Sequence, residues 1–154
     1  MKLIIAFITL FFVLLSQAYS AKSLQTEWSL EQKTNKMTDR TECSLNAPSK
    51  EIMLSIQNDG MYFVVSKPFS TMSGMALITM RVDKNKAEDL LLRTSNIRIG
   101  AVVDENKLKG MIEQMKNGKL LLLETVTAGV TVEDQVDLQK FTSALAKYEA
   151  CMGR

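Results

Sequence analysis

The sequence predicts a mainly β domain with two helices (α+β): an antiparallel β-sandwich or curled sheet, a mid-late helix and a C-terminal helix packed on it, and one disulfide. Three observations lead to this prediction. Apolar and polar residues alternate with period two in the early and middle chain, apolar residues recur at helical spacing in two later segments, and there are two cysteines. Strands followed by late helices favour an antiparallel sheet over strict strand-helix alternation.

The first strands are predicted before residue 66. One lies around Trp28, a second contains Cys43, and a third spans residues 52–57, where alternate residues are aliphatic. Asn58-Asp59-Gly60 follows, and Asp-Gly is a strong hairpin signal because both residues tolerate positive φ. The third strand is therefore predicted to turn back into residues 61–65.

Alternation predicts a further strand over residues 76–83. One face carries Ala76, Ile78, Met80 and Val82, and the other carries Leu77, Thr79, Arg81 and Asp83. Residues 84–88 form a charged turn, and a strand region is predicted next through Ile97, Ile99 and Val103.

Two helices are predicted after residue 103. The first has Asp104 as its N-cap and ends at Asn117-Gly118, and its apolar stripe is Leu108, Met111, Ile112 and Met115. The second opens at Asp137, with Leu138, Phe141, Leu145, Tyr148 and Cys151 or Met152 on one stripe. Between the helices, residues 119–126 and 130–136 form a hairpin whose inner face carries Val130, Val132 and Val136.

The first 20 residues have the layout of a cleaved secretory signal. Lys2 precedes an apolar run from Leu3 to Leu15, and Ala18-Tyr19-Ser20 supplies the small-residue cleavage pattern. A membrane anchor is the alternative, but a helix needs roughly 20 apolar residues to span a bilayer. We therefore expect residues 21–154 to form a single β-rich domain that is periplasmic or secreted and has no stable membrane insertion.

Cys43 and Cys151 are predicted to form the disulfide. Paired cysteines are usual in exported domains, because the periplasm and the extracellular space are oxidising. The bridge would connect an early strand to the end of the chain. Two free thiols are the alternative.

The composition argues against several classes of function. The chain has no His, which removes the commonest general base near neutral pH, the usual zinc ligand and the Ser-His and Cys-His pairs. Loss of Lys2 with the signal leaves 18 Lys plus Arg against 17 Asp plus Glu, which gives no basic patch for nucleic acid. We expect no catalytic residues, no metal, no cofactor and no nucleic-acid partner.

The remaining candidates for catalysis are carboxylates and a Ser-Lys pair. The acidic neighbours Glu88-Asp89, Asp104-Glu105 and Glu133-Asp134 fall in predicted turns, helix starts or strand edges, where solvated structural roles are the simpler interpretation. Ser143 and Lys147 lie at i, i+4 on the last helix, a spacing that is common on surface helices.

Arg81 and Asp83 are the candidate binding residues. Two residues apart on one strand face, a guanidinium and a carboxylate offer a fork for an anionic or amide ligand. The alternative is a cross-strand ion pair on a solvated face. Trp28 is either a ligand platform or, more simply, a core residue.

Several short motifs together resemble exported bacterial proteins of the invasion-associated locus B kind. They are Trp28, Cys43, Arg81-Val82-Asp83, the Met-Lys-Asn-Gly-Lys that ends at Lys119, and Asp137-Leu138, Phe141 and Ala144 leading to Cys151. The pattern is also similar to type VI secretion accessory proteins of the VasI/TagO type. The resemblance implies a small β-rich envelope protein without an established catalytic role.

We therefore predict a non-catalytic exported binding or accessory protein of the bacterial cell envelope, and the resemblance suggests an association with secretion or virulence. Its partner would be another envelope or secreted protein. Two alternatives remain open: an inhibitor or immunity protein against an envelope-targeting toxin, and a hydrolase that uses two carboxylates facing each other across a cleft.

Overall fold

A computed structural model describes residues 27–69, 74–96, 98–127 and 129–153. The predicted signal, residues 1–20, lies outside the described residues. The predicted fold class is confirmed: one nine-stranded antiparallel sheet, two helices and one disulfide. The strands are β1 (Ser29–Asn35), β2 (Arg40–Asn46), β3 (Ile52–Gln57), β4 (Gly60–Val65), β5 (Met75–Val82), β6 (Glu88–Asn96), β7 (Ile99–Val102), β8 (Leu120–Thr127) and β9 (Val130–Asp137). The helices are α1 (Glu105–Asn117) and α2 (Phe141–Cys151).

The strand order in the sheet is β1-β2-β3-β4-β7-β6-β5-β8-β9. In a flat sheet, strands about 4.8 Å apart would place β9 roughly 29 Å from β3. The Asp134 Oδ2 of β9 nevertheless accepts the backbone N–H groups of Lys50, Glu51 and Ile52 at 2.7–2.9 Å. The sheet therefore curls until its last strand reaches the start of β3. Of the two predicted alternatives, the curled sheet is the one observed.

The predicted hairpin at Asp59-Gly60 joins β3 to β4, with Gln57 opposite Gly60. Trp28 immediately precedes β1. The strand region predicted through residues 97–103 is instead two paired strands, β6 and β7, and β6 begins at Glu88, inside the predicted charged turn.

Helix α1 has the predicted boundaries and stripe. Asp104 caps it by accepting the N–H groups of Asn106 and Lys107, each at 3.0 Å. Met111 and Met115 are buried in the core, and Leu108 and Ile112 pack against it.

The predicted start of the last helix at Asp137 was wrong. Asp137 ends β9, and the next residue, Leu138, still donates its N–H to the Lys119 carbonyl beside β8, so the paired strand conformation persists. Helix α2 begins at Phe141. Val130 lies on the predicted face, with Val132 and Val136 and opposite the buried Thr127, but it is itself 52% exposed.

The core lies between the concave side of the sheet and the two helices. Trp28 packs on Phe141 of α2, with ring centroids 4.7 Å apart, and donates its indole N–H to the Asp137 carbonyl at 2.9 Å. The core interpretation of Trp28 is confirmed. The predicted disulfide is also observed: Cys43 of β2 and Cys151 of α2 are bonded, with their Cα atoms 6.3 Å apart.

Neither helix within the described ranges is long and apolar enough to cross a membrane.

Candidate functional site

Arg81 lies on the convex face of β5, which is the face away from the core. Its neighbours Met80 and Val82 are buried, while Arg81 itself is exposed opposite Leu122 of β8. The ion pairs among the described residues are Glu113–Lys116 and Glu27–Lys140, so the guanidinium has no carboxylate partner in this part of the chain.

Asp83 does not share the strand face of Arg81, and the predicted fork is not formed. It follows β5 in a turn and has φ 50°. Its carboxylate accepts the N–H of Lys119 at 3.1 Å and that of Leu120 at 2.9 Å. Its own N–H donates to the Leu120 carbonyl at 2.9 Å. In this position Asp83 fastens the end of β5 to the start of β8.

A row of carboxylates crosses the sheet beside Arg81. Thr79 lies opposite Asp89 of β6 on one side and Glu124 of β8 on the other, and Glu124 lies opposite Glu133 of β9. The Thr79 hydroxyl donates to Asp89 at 2.7 Å. Glu124 and Glu133 are both exposed, and like charges directly opposite each other on a sheet are destabilising. This acidic row therefore places carboxylates side by side on the open face, in the same depression as Arg81.

Four aliphatic side chains form the next row, which we call the apolar stripe. Leu77 lies opposite Leu91 of β6, and Leu91 accepts the N–H of Val103 on its other side. The register that places Ile78 opposite Thr125 also places Leu77 opposite Val126. The exposed fractions are 42% for Val103, 42% for Leu91, 56% for Leu77 and 50% for Val126.

Two shallow depressions follow these rows. One, of about 550 Å³, is lined by Thr79, Arg81, Glu124, Glu133 and Gln135 among others. The other, of about 460 Å³, lies over the stripe residues Leu77, Leu91 and Val126. The convex face therefore offers apolar area, carboxylates and a guanidinium side by side on rigid strands.

The remaining predicted candidates have structural surroundings. Asp134 accepts the N–H groups that close the sheet, and the Ser143 hydroxyl donates to the Lys140 carbonyl at 3.0 Å. Glu124 and Glu133 lie beside each other on one open face, not across a cleft. No group of three or more His, Cys, Asp or Glu side chains suited to a metal ion occurs within the described ranges.

Sequence reasoning missed the apolar stripe, although one signal was present. The alternation over residues 76–83 already placed Leu77 on the same face as Thr79 and Arg81. Leu91 is the central residue of a Leu-Leu-Leu run, so its outward position does not stand out.

Comparison with protein-family models, curated proteins and solved structures finds no match for this chain. The resemblance to locus B and VasI/TagO proteins therefore stays a prediction from the motifs quoted above.

Proposed function

We propose that this protein is a non-catalytic, exported binding protein of the bacterial cell envelope, and that its protein partner docks on the convex face of β5, β6 and β8. The apolar stripe is the observation that carries the proposal. Single exposed aliphatic residues are ordinary, but contiguous ones in a row mark interaction sites.

The stripe is large enough to contribute substantially to binding. Full burial of an exposed Val or Leu side chain is worth about 1.5–3 kcal/mol. The four stripe residues are each about half exposed. A partner that covered all of them would gain roughly 3–6 kcal/mol before the cost of association is subtracted.

The polar groups next to the stripe would orient this partner. Arg81 and the facing pair Glu124 and Glu133 carry opposite charges on one surface. A partner with an apolar ridge, a cation against the acidic row and an acceptor against Arg81 fits this pattern. Such charged groups at the rim supply specificity and association rate more than affinity.

Export is supported by the predicted signal and by the disulfide, which suits an oxidising compartment. The resemblance to accessory envelope proteins supports a role without catalysis.

Site-specific photocrosslinking in cells tests the proposed function. A photoreactive residue at position 77 should give a discrete protein adduct, while the same residue at position 53 should not, because Met53 is 42% exposed on β3, away from the stripe. With the purified partner, we expect Leu77→Asp to weaken binding at least about tenfold, since the loss exceeds 1.4 kcal/mol, and Met53→Asp to leave it unchanged. Equal adducts at both positions, or none at position 77, would contradict the proposal.

A further inference from the structure

A concave surface lies on the helix side of the molecule, between α1, α2 and the turn that joins β3 to β4. We call it the helix groove, and its apolar floor is formed by Ile56, Leu108, Ile112, Leu145 and Tyr148. Its volume is about 470 Å³. Pockets that bind small molecules are concave, mostly apolar and about 300–1,000 Å³ in volume. The helix groove therefore has the size and the apolar floor of a small-molecule site.

Each helix turns one face toward the groove. The lining residues of each helix are spaced as neighbours on one helix face: Glu105, Leu108, Lys109 and Ile112 on α1, and Leu145, Tyr148 and Glu149 on α2. Leu108 and Ile112 pack against the core but are only half-buried. Part of their apolar surface is therefore open to a ligand in the groove.

The charges around the groove are mostly negative. Three carboxylates, which we call the acidic rim, belong to Asp59, Glu105 and Glu149. Among the described residues that line the groove, Lys109 alone is cationic. All four side chains are exposed, and none of them belongs to an ion pair in the described part of the chain. The acidic rim can therefore be reached by a ligand and favours a positive charge.

Two of these carboxylates have other contacts, which do not neutralise them. Asp59 Oδ2 accepts the Tyr62 hydroxyl at 2.6 Å, and this hydrogen bond raises the pKa of Tyr62, so that the hydroxyl stays uncharged. The ammonium of Lys116 is bonded to Glu113 at 2.7 Å. This hydrogen bond is the main cause of the raised pKa of Lys116, and Glu149 contributes only weakly to it. The rim therefore keeps a net negative charge.

We propose that the helix groove binds a small amphipathic cation, an organic ammonium compound whose apolar part covers Leu108 and Ile112 and whose head lies against the acidic rim. Burial of apolar area supplies the affinity, and the carboxylates select the charge of the head. The groove is on the helix side of the sheet, whereas the apolar stripe is on the convex face. The inference thus goes beyond the proposed function and is independent of it.

NMR titration with matched probes tests the charged head and the apolar part separately. Octyltrimethylammonium, added below its micelle concentration to the disulfide-bonded protein, should give saturable shifts of the amide signals of Gly60, Leu108 and Ile112. Octyl sulfate has the same chain with an anionic head, and tetramethylammonium has the cationic head without the chain. Each of these two should bind at least about tenfold more weakly than octyltrimethylammonium, a difference of about 1.4 kcal/mol.

Charge reversal at the acidic rim gives the sharpest test. Glu105→Lys/Glu149→Lys replaces two of the three carboxylates by ammonium groups and should invert the preference, so that octyl sulfate binds more tightly than octyltrimethylammonium. Loss of folding could not produce such an inversion. Glu31→Lys/Glu42→Lys is the matched control, because it makes the same change of net charge on β1 and β2, outside the groove, and should leave the preference unchanged.

Several results would overturn the proposal. They are the absence of saturable shifts at the groove amides, equal affinity for octyltrimethylammonium and octyl sulfate, and an unchanged preference in Glu105→Lys/Glu149→Lys. Inversion in the control variant as well would show that net charge alone decides the preference. Equal affinity for tetramethylammonium and octyltrimethylammonium would show that the apolar floor does not take part in binding.

Discussion

Arg81 and Asp83 are two residues apart in the sequence but have different surroundings. The Arg81 side chain is on the open convex face, whereas the Asp83 carboxylate accepts two backbone N–H groups at the start of β8. The positive φ of Asp83 causes this difference, because it turns the chain out of the strand and ends the two-residue alternation. Asp and Asn visit this conformation more readily than other residues with side chains, since their short polar groups can hydrogen-bond locally.

Substitution of Asp83 should therefore affect stability more than binding. We expect Asp83→Ala to lower the free energy of unfolding by about 2 kcal/mol, because it removes the acceptor of two N–H groups. Asp83→Asn, which retains one acceptor oxygen and tolerates positive φ, should cost less than about 1 kcal/mol. Urea unfolding measures both. Equal losses for the two variants would contradict the structural role of the carboxylate.

Glu27 and Lys140 form an exposed ion pair between the start of the described chain and the N-terminus of α2. The hydrogen bond from Lys140, followed by its charge, holds the pKa of Glu27 below its ordinary value of 4.5. Because the folded pKa is depressed, the pair contributes stability above the ordinary pKa, and this contribution is lost as the pH falls through the folded pKa.

NMR titration of the Glu27 carboxyl tests this pair. We expect a pKa below the ordinary value in the unmodified protein and a return toward it in Lys140→Gln. Lys147→Gln should have a smaller effect, because the charge of Lys147 is the weakest of the contributions to this pKa. A Glu27 pKa that is the same with and without Lys140 would refute the assignment.

At the scale of elements, the sequence predicts the strands and helices whose side chains alternate regularly between the core and the solvent. β5 and α1 each have one buried and one more exposed side, and β3 follows the same pattern except at Ser55, which is buried. β6 and β7 were predicted only as one strand region, and the alternation in β6 is obscured because Leu91 points outward within Leu90-Leu91-Leu92. The candidate site on the convex face depends on the register between neighbouring strands. Local sequence periodicity does not specify that register.

Gly118 shows that a correct boundary can have an unexpected reason. The sequence predicted it as a helix stop, but its φ of −93° is available to any residue. Glycine is required at this position because of packing. A Cβ here would lie 2.2 Å from Val82 Cγ1 and 3.2 Å from Leu138 Cδ1.

Gly118→Ala should consequently lower the free energy of unfolding by about 1–3 kcal/mol through overpacking. Gly110 is the matched control, since a Cβ there meets nothing within 4 Å and the residue lies inside α1. Gly110→Ala should raise stability by about 0.5–1 kcal/mol, because alanine has the higher helix propensity. Thermal or urea unfolding of both variants provides the measurement, and a neutral Gly118→Ala would refute the packing argument.

At the scale of the whole molecule, several connections hold the N-terminal strands to the C-terminal part of the chain. Among them are the disulfide, the hydrogen bond that Trp28 donates to the Asp137 carbonyl, and the hydrogen bonds that Asp134 accepts from the N–H groups of residues 50–52. The cysteine pair was predictable because a chain with two cysteines has one possible intramolecular pairing. The closure of the sheet by Asp134 was not predictable. It depends on the curl of the sheet, and the sequence does not specify the strand order that produces this curl.

Removal of the disulfide should have the largest effect of the changes considered. Cys43 and Cys151 are 108 residues apart, and closing a loop of that length stabilises a fold by about 4–5 kcal/mol on chain-entropy grounds. We expect Cys43→Ala/Cys151→Ala to lower the free energy of unfolding by this amount, and reduced unmodified protein to behave similarly. A loss under about 1 kcal/mol in urea unfolding would contradict this expectation.

The position of Cys151 near the end of α2 also has a consequence for biosynthesis. A chain that stopped before residue 141 would contain all nine strands of the sheet but would lack Cys151 and the helix that packs on Trp28. Its Cys43 would remain a free thiol, and its exposed core surface would favour aggregation or proteolysis. Formation of the bridge therefore requires that α2 has been synthesised, and it distinguishes chains that contain α2 from chains truncated before it.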